Sequence, residues 1–177
     1  MVKRERLAHL SQEESQGELK DRLTIVMFSG ELDKALAGFT LATTAASMGM
    51  EVSMLFTYWG LNIIKKNEDS IPSKGLMRRM LNFINRGGSK RLKLSRFNLL
   101  GLGTWMMKRL MKDINYPTLD ELITMAHNMG VKLIPCSTTC AVMGIPEEGA
   151  FRPEASSLAG AAYFLNQARE SRVALFI

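Results

Sequence analysis

Four short apolar runs, separated by segments with helical periodicity, predict alternating strands and helices. The runs predicted to be strands are residues 22–28, 51–57, 131–134 and 172–177. A helix is predicted over residues 31–48, where one face carries Leu32, Ala35, Leu36, Phe39, Ala42 and Ala46. Further helices are predicted over residues 119–129, with a capping box of Thr118 and Glu121, and over residues 155–171. Strands separated by helices pair in parallel, so the pattern predicts a three-layer α/β domain with a mainly parallel sheet.

Charge is distributed unevenly over this pattern. The chain has 177 residues and a formal net charge of +6, yet residues 65–112 contain thirteen Lys and Arg residues against two acidic ones. Apolar residues are interspersed with these charges, so the segment is interpreted as a basic, partly helical insertion in a single domain over residues 22–177. Residues 1–21 are mostly charged or polar and are interpreted as an N-terminal tail that lacks the apolar region of a signal peptide.

The basic insertion has several interpretations. Its charges either face solvent on an ordinary loop or form a docking surface for an acidic partner protein. Attachment to a membrane surface is a further alternative. Charge alone is weak evidence for binding to a membrane or to nucleic acid, and nucleic acid is not expected as a partner. No apolar run approaches the roughly 18 residues of a membrane span. Two cysteines so close in sequence do not form the framework of a secreted disulfide protein. A cytoplasmic protein is therefore predicted, with the inner membrane face as a peripheral alternative.

Both cysteines of the chain follow the third predicted strand. Cys136 and Cys140 are four residues apart, and the small polar residues after Cys136 predict a turn into a helix. Backbone N–H groups and the positive end of the dipole at such a helix start stabilise a thiolate. On the residues alone, Cys136 is either a reactive thiol or a buried structural one, and the candidate chemistry is that of sulfur.

The ends of the other predicted strands supply further candidates. In parallel α/β sheets, ligands and reacting groups gather at the carboxyl ends of the strands, so these residues are expected to share one sheet edge with Cys136. Tyr58 and Trp59 are candidates for the wall of a pocket over Cys136, and packing against the basic insertion is their alternative role. The predicted pocket residues are Ser29, Gly30, Tyr58, Trp59, Ser137 and Thr138.

Metal and nucleotide chemistry find little support in the sequence. A structural zinc site needs four ligands, and the two cysteines with the distant His9 and His127 are a poor supply. Gly101 and Gly103 do not form a dinucleotide-binding fingerprint, and no phosphate-binding loop motif is present. Neither a metal nor a cofactor is therefore expected.

Several segments, taken in order, resemble the DsrE/DsrF-like family of sulfur-handling proteins. They are residues 29–35, 48–52, 56–61, 101–108 and 136–145. The likeness runs from about Arg22 to the C-terminus and is closest to the longer, DsrE-like branch, often labelled peroxiredoxin-family or NADH-dehydrogenase-like. It implies a flavodoxin-like subunit that forms homo-oligomers and carries sulfur as a persulfide. The carrier cysteine of the branch matches Cys136, which is followed by Met143, Gly144 and Ile145. Cys140 stands where many relatives have another residue.

Two classes of function follow. The first is a sulfur carrier or sulfurtransferase that takes sulfane sulfur from a donor protein and passes it on through a Cys136 persulfide. Rhodaneses and TusA-type carriers are the kinds of donor and acceptor expected. Thiolate attack transfers the sulfur itself, so no cofactor is needed. Cys140 either resolves the persulfide or fills the core. The alternative is a non-catalytic interaction or peripheral membrane module with a redox-sensing cysteine pair.

Overall fold

The computed structural model describes residues 20–67, 76–77, 80, 87–146 and 148–177. The predicted tail over residues 1–21 lies outside these ranges except for its last two residues, which belong to the first strand. Parts of the predicted insertion over residues 65–112 also lie outside the described residues, and the extent of the insertion stays a prediction.

Four strands form one parallel sheet. They are β1 (Lys20–Met27), β2 (Glu51–Phe56), β3 (Lys132–Pro135) and β4 (Ser171–Phe176). Their spatial order is β3-β2-β1-β4, and every neighbouring pair is parallel. The predicted α/β class with a parallel, flavodoxin-like sheet is confirmed. Because the strands run in the same direction, their carboxyl ends meet at one edge of the sheet.

Helices cover both faces of this sheet. Those that the structure describes are α1 (Leu32–Ser47), α2 (Leu61–Ile64), α3 (Leu102–Asp113), α4 (Leu119–Asn128), α5 (Ser137–Met143) and α6 (Ala161–Arg169). The main core joins α1 and α4 to one face of the sheet, where Phe39, Met54 and Ile123 are fully buried. The predicted capping box at the start of α4 is present. On the opposite face, α6 contributes Phe164 to a smaller cluster.

The helix predicted over residues 155–171 is shorter than expected. It spans only Ala161–Arg169, and the residues before it run beside β3. The amide of Ser156 donates to the carbonyl of Leu133 at 2.7 Å, and the amide of Ala159 donates to the carbonyl of Pro135 at 3.1 Å. Strand β3 lies at the edge of the sheet, and its unpaired backbone groups bind this segment more favourably than a further helical turn would. The segment therefore covers the start of α5.

The α3 surface, defined as α3 with the turn at residues 97–101, exposes many apolar side chains. Helix α3 buries only Thr104, and its exposed apolar side chains are Leu102, Trp105, Met106, Met107 and Leu110. Phe97, Leu99 and Leu100 of the preceding turn are also exposed, and all three have positive φ angles. Patches of this kind mark interaction sites. Most of this surface belongs to the basic insertion, and self-association of the domain and docking through the insertion stay predictions. Within the described ranges, the helices are too short or too polar to cross a membrane.

Candidate functional site

Cys136 lies at the junction of β3 and α5. Its amide donates to the carbonyl of Phe56 at 2.9 Å, which continues the pairing of β3 with β2 for one residue. Its own carbonyl accepts the amide of Cys140 at 3.0 Å, which begins α5 and makes Cys136 the N-cap residue. The strand–turn–helix position predicted from the sequence is the one observed.

The thiol of Cys136 is largely shielded from solvent. Its residue is 5% exposed and lies on the sheet face that α6 covers, away from the main core. The apolar side chains around it are Leu55, Ile134, Ala159 and Phe164. Ala159 belongs to the segment that runs beside β3. The amide of Ser137, the first residue of α5, donates to its carbonyl at 3.0 Å and so holds Ala159 beside the cysteine.

Two threonine hydroxyls complete the surroundings of the thiol. In the sheet register, Phe56 of β2 is opposite Pro135 of β3. The next residues along the two strands, Thr57 and Cys136, therefore lie side by side on one face. The Oγ1 atoms of Thr57 and Thr139 are hydrogen-bonded at 2.8 Å, so the hydroxyls form a pair between the end of β2 and the first turn of α5.

These groups favour the ionised form of Cys136. Burial of the thiol would by itself raise its pKa, yet the pKa lies below its ordinary value. The amide and the hydroxyl of Thr139, the hydroxyl of Thr57 and the amide of Thr138 all stabilise the thiolate and outweigh the burial. The two amides belong to the second and third residues of α5, which are the donors that an N-cap side chain normally satisfies. The Cys136 side chain makes no capping hydrogen bond itself, so these groups favour negative charge on the thiol without a capped start of α5.

Thr138 is among the residues predicted for the pocket from the sequence, whereas Thr57 and Thr139 are not. Thr139 follows the N-cap residue by three positions. With Cys136 as the N-cap, that spacing predicts a contact between the thiol and Thr139. The role of Thr57 depends on the register between β2 and β3, which the sequence does not state. Ser137 contributes to the site through its backbone, because its amide donates to the carbonyl of Ala159.

Ser29 and Gly30 stand further along the same sheet edge. The amide of Ser29 donates to the carbonyl of Ile177 at 3.2 Å, and its hydroxyl accepts from Nζ of Lys34 at 3.1 Å. Ser29 is therefore bonded toward β4 and α1. At Gly30, an added Cβ would lie 2.5 Å from the carbonyl oxygen of Trp59, so glycine permits the close approach of the loops after β1 and β2.

The aromatic residues after β2 have two different surroundings. The ring of Tyr58 lies 5.3 Å from that of Phe28, which stacks on Phe176 at 5.7 Å between centroids. The amide of Tyr58 donates to Oγ1 of Thr139 at 3.4 Å, so its backbone contacts the site while its ring contacts Phe28, the residue after β1. The side chain of Trp59 is exposed. A pocket wall formed by Tyr58 and Trp59 stays a prediction.

Cys140 lies one helical turn beyond Cys136, in a different environment. Its residue is 2% exposed and packs in the main core with Met143 and Ile145. Neither cysteine is in a disulfide. The structure therefore places the two thiols in separate hydrophobic clusters, although their backbones are directly hydrogen-bonded.

Comparison with known proteins identifies the family. The sequence model of the DsrE/DsrF/DrsH-like family matches residues 19–176, which is most of the chain. The chain belongs to this family. The resemblance inferred from five segments of the sequence is therefore confirmed, together with the fold that it implied.

Two similar proteins extend over nearly the same length as the family match. The uncharacterized protein YrkE of Bacillus subtilis (strain 168) is 38% identical over 156 residues, which cover 88% of this chain and 96% of YrkE. The sulfur carrier protein DsrE2 of Allochromatium vinosum (strain ATCC 17899) is 32% identical over 163 residues, which cover 88% of this chain and 98% of DsrE2. The family domain thus accounts for all of the elements described above.

Replacing Thr139 with valine is expected to raise the pKa of Cys136, because the substitution removes a hydroxyl that stabilises the thiolate. A hydrogen bond to a charged group contributes about 1.5–3 kcal/mol, so alkylation of Cys136 at neutral pH should slow by about tenfold or more. The measurement is the rate of iodoacetamide labelling, with the labelled cysteine located by tandem mass spectrometry.

The matched control is Thr138→Val. The side chain of Thr138 is exposed, and only its backbone amide stabilises the thiolate, so this variant should be alkylated at the wild-type rate. Equal labelling rates in the two variants would show that the Thr139 hydroxyl does not tune the thiol.

Proposed function

We propose that the protein is a sulfur carrier that binds a sulfane sulfur as a persulfide on Cys136 and passes it to an acceptor protein. The observation that carries the proposal is the Cys136 thiol at the start of α5, whose pKa is lowered by surrounding amides and hydroxyls although it is buried. Family membership supports it, as does the similarity to a relative named as a sulfur carrier protein.

The transfer itself requires only sulfur chemistry. The Cys136 thiolate attacks the outer sulfur of a donor persulfide, a new S–S bond forms on Cys136, and the donor cysteine leaves as a thiolate. No net oxidation or reduction takes place. The amides of Thr138 and Thr139, and the hydroxyls of Thr57 and Thr139, stabilise the Cys136 thiolate, which is the attacking group in loading and the leaving group in unloading. Attack by an acceptor thiolate on the outer sulfur reverses the sequence and unloads the carrier.

Access to Cys136 requires the cover at residues 159–164 to move. This cover contributes Ala159 and Phe164 to the cysteine cluster, yet α6 itself contains no buried residue. Elements with little buried surface open at low free energy. We therefore assign to this cover the role of shielding the persulfide from solvent until a donor or acceptor docks.

The direct test is the mass of the intact protein after incubation with inorganic polysulfide. We expect a gain of one or more sulfur atoms that dithiothreitol removes, with the first sulfur located on Cys136 by tandem mass spectrometry. Protein alkylated beforehand at Cys136 is the control and should gain none at that residue. Wild-type protein that gains no sulfur, although iodoacetamide labels Cys136, would contradict the proposal.

A further inference from the structure

The turn before α3 holds apolar side chains out into solvent. Phe97, Leu99 and Leu100 are 83%, 70% and 107% exposed, so the side chain of Leu100 stands clear of the rest of the described chain. All three have positive φ angles, of 55°, 38° and 58°, a region that bulky side chains rarely adopt. Backbone strain of this kind persists mainly where a function needs it.

Hydrogen bonds fix this turn to the core. The carbonyl of Asn98 accepts the amides of Gly101 at 2.6 Å and Gly103 at 3.2 Å. The Oδ1 atom of Asn98 accepts a hydrogen bond from Oγ1 of Thr104 at 2.8 Å. Oγ1 of Thr104 in turn accepts the amide of Leu94 at 3.1 Å, and Leu94 packs against the main core. The exposed side chains are thus held outward by a turn whose backbone is anchored.

Helix α3 extends the same apolar surface. Leu102, Met106 and Leu110 are spaced four residues apart, so they form one row along the helix, and each is more than half exposed. Thr104, the buried residue of α3, lies on the other side of the helix. Trp105 flanks the row and is also exposed. The helix therefore packs on the protein with one side and keeps an apolar face in solvent with the other.

The charged residues of this part of the chain are basic. Residues 87–112 contain seven Lys and Arg residues and no acidic one. Exposed basic side chains stand before the turn, at Lys93 and Arg96, and after it, at Lys112. An apolar helical face flanked by Lys and Arg residues is the arrangement that binds a membrane surface containing anionic lipids.

We propose that the α3 surface docks the protein on membranes that contain anionic lipids. The side chains of Phe97, Leu99 and Leu100 enter the boundary between headgroups and acyl chains. Helix α3 lies along the membrane surface, and the neighbouring Lys and Arg side chains bind the lipid phosphates. This surface is separate from the persulfide site, and its role does not depend on the sulfur chemistry.

The shape and charge of the surface favour lipid over a protein. Anchor residues at protein interfaces bind in well-packed pockets, so a protein partner would have to supply a pocket matched to the protruding Leu100. Acyl chains are fluid and close around such a side chain without one. Trp105 suits the same position, because Trp side chains favour the boundary between membrane and water. A second copy of the chain would bring the same basic residues together, and like charges oppose that contact.

The test is sedimentation of the full chain with vesicles of phosphatidylcholine alone or with about 30% phosphatidylglycerol as the anionic lipid. We expect the protein to pellet with the anionic vesicles, and the binding to weaken as the salt concentration rises. Leu100→Asn removes an inserted apolar side chain and introduces a residue that tolerates a positive φ angle. This variant should bind the anionic vesicles about tenfold more weakly.

The matched control is Met48→Asn, which should bind as wild type. Met48 is exposed at the C-terminal end of α1, whereas residues 93–95 contact the N-terminal end of that helix. The control thus changes an exposed apolar side chain outside the α3 surface.

A fluorescence measurement separates insertion from attraction by charge alone. Trp59 and Trp105 are the two tryptophans of the chain, so the emission of the Trp59→Phe variant comes from Trp105. We expect this emission to shift to shorter wavelength with the anionic vesicles, because the indole ring leaves water. An unchanged spectrum in protein that pellets with the vesicles would overturn the insertion of this surface.

Other outcomes decide against the inference. Wild-type protein that stays in the supernatant with anionic vesicles would overturn it, as would equal binding of wild type to both kinds of vesicle or equal binding of wild type and Leu100→Asn. A dimer formed without lipid that Leu100→Asn dissociates would make this face an interface between copies of the chain instead. Should Leu100→Asn not fold, Arg96→Gln combined with Lys112→Gln is an independent arm. It should weaken binding about tenfold or more, because each basic residue near an anionic surface contributes about fivefold.

Discussion

Cys136→Ser is expected to lose all loading of sulfane sulfur, whereas Cys140→Ser should lose only part of it. Serine lacks a thiolate and cannot form the S–S bond that holds the cargo. Cys140 cannot substitute for Cys136, because it packs in the main core and not in the small cluster beneath the cover at residues 159–164. The mass of the intact protein after incubation with inorganic polysulfide gives the loading of each variant.

The two substitutions control for each other. Each replaces a buried cysteine with serine within one turn of α5, so a general loss of structure in this region should affect both. Thermal unfolding of both variants checks that they remain folded. Normal loading of Cys136→Ser together with no loading of Cys140→Ser would mean that Cys140 is the entry point for sulfur, and the assignment of Cys136 would then be wrong.

The sheet and the helices that carry the core could be predicted because their signals are local. Alternating apolar runs and helical periodicity indicated β1 to β4 and α1, and the capping box indicated the start of α4. The helix predicted from residue 155 began six residues late, because the open edge of β3 offers backbone partners that no local pattern records. Local periodicity thus predicts elements better than it predicts which element a segment joins.

The residues of the site also differ in whether a local sequence pattern reveals them. Cys136 could be found because a strand followed by small polar residues and a helix is a local pattern. The hydroxyl of Thr57 could not, since it reaches the thiol only through the register of β2 with β3. Lys65 was counted with the charges of a basic insertion and expected near solvent or a partner. The structure buries it instead, through packing against Gly87 and Phe151, which are distant in sequence.

Arg152 joins distant parts of the chain in an ion network. Its guanidinium donates to the carboxylate of Asp120 at the start of α4, to Oγ of Ser89 at 3.1 Å and to the carboxylate of Glu154 at 3.0 Å. The side chains of Arg152 and Glu154 are each 14% exposed. The network therefore connects α4 and the segment at residues 89–91 to residues 151–159. That segment begins at the backbone bridge between Phe151 and Lys65 and ends beside β3.

Arg152→Met is expected to lower the free energy of unfolding by about 2 kcal/mol, because it leaves two partly buried carboxylates without their counter-ion. The value is below that of a fully buried pair, since Asp120 is partly exposed. Urea unfolding at neutral pH measures it. Arg169→Met changes an exposed arginine of α6 and should stay within about 0.5 kcal/mol of wild type.

The difference between wild type and Arg152→Met should shrink in acid. Burial would raise the pKa of Asp120, but hydrogen bonds from Ser89 and Arg152 outweigh it and lower the pKa, and the hydrogen bond from Arg152 lowers that of Glu154. A carboxylate with a lowered folded pKa stabilises the protein above its unfolded pKa, roughly 4, and loses that contribution as the pH falls through the folded value. Unfolding free energies at neutral pH and near pH 3 test this. A difference that is as large in acid as at neutral pH would show that Arg152 stabilises the fold through packing of its stem and not through its charge.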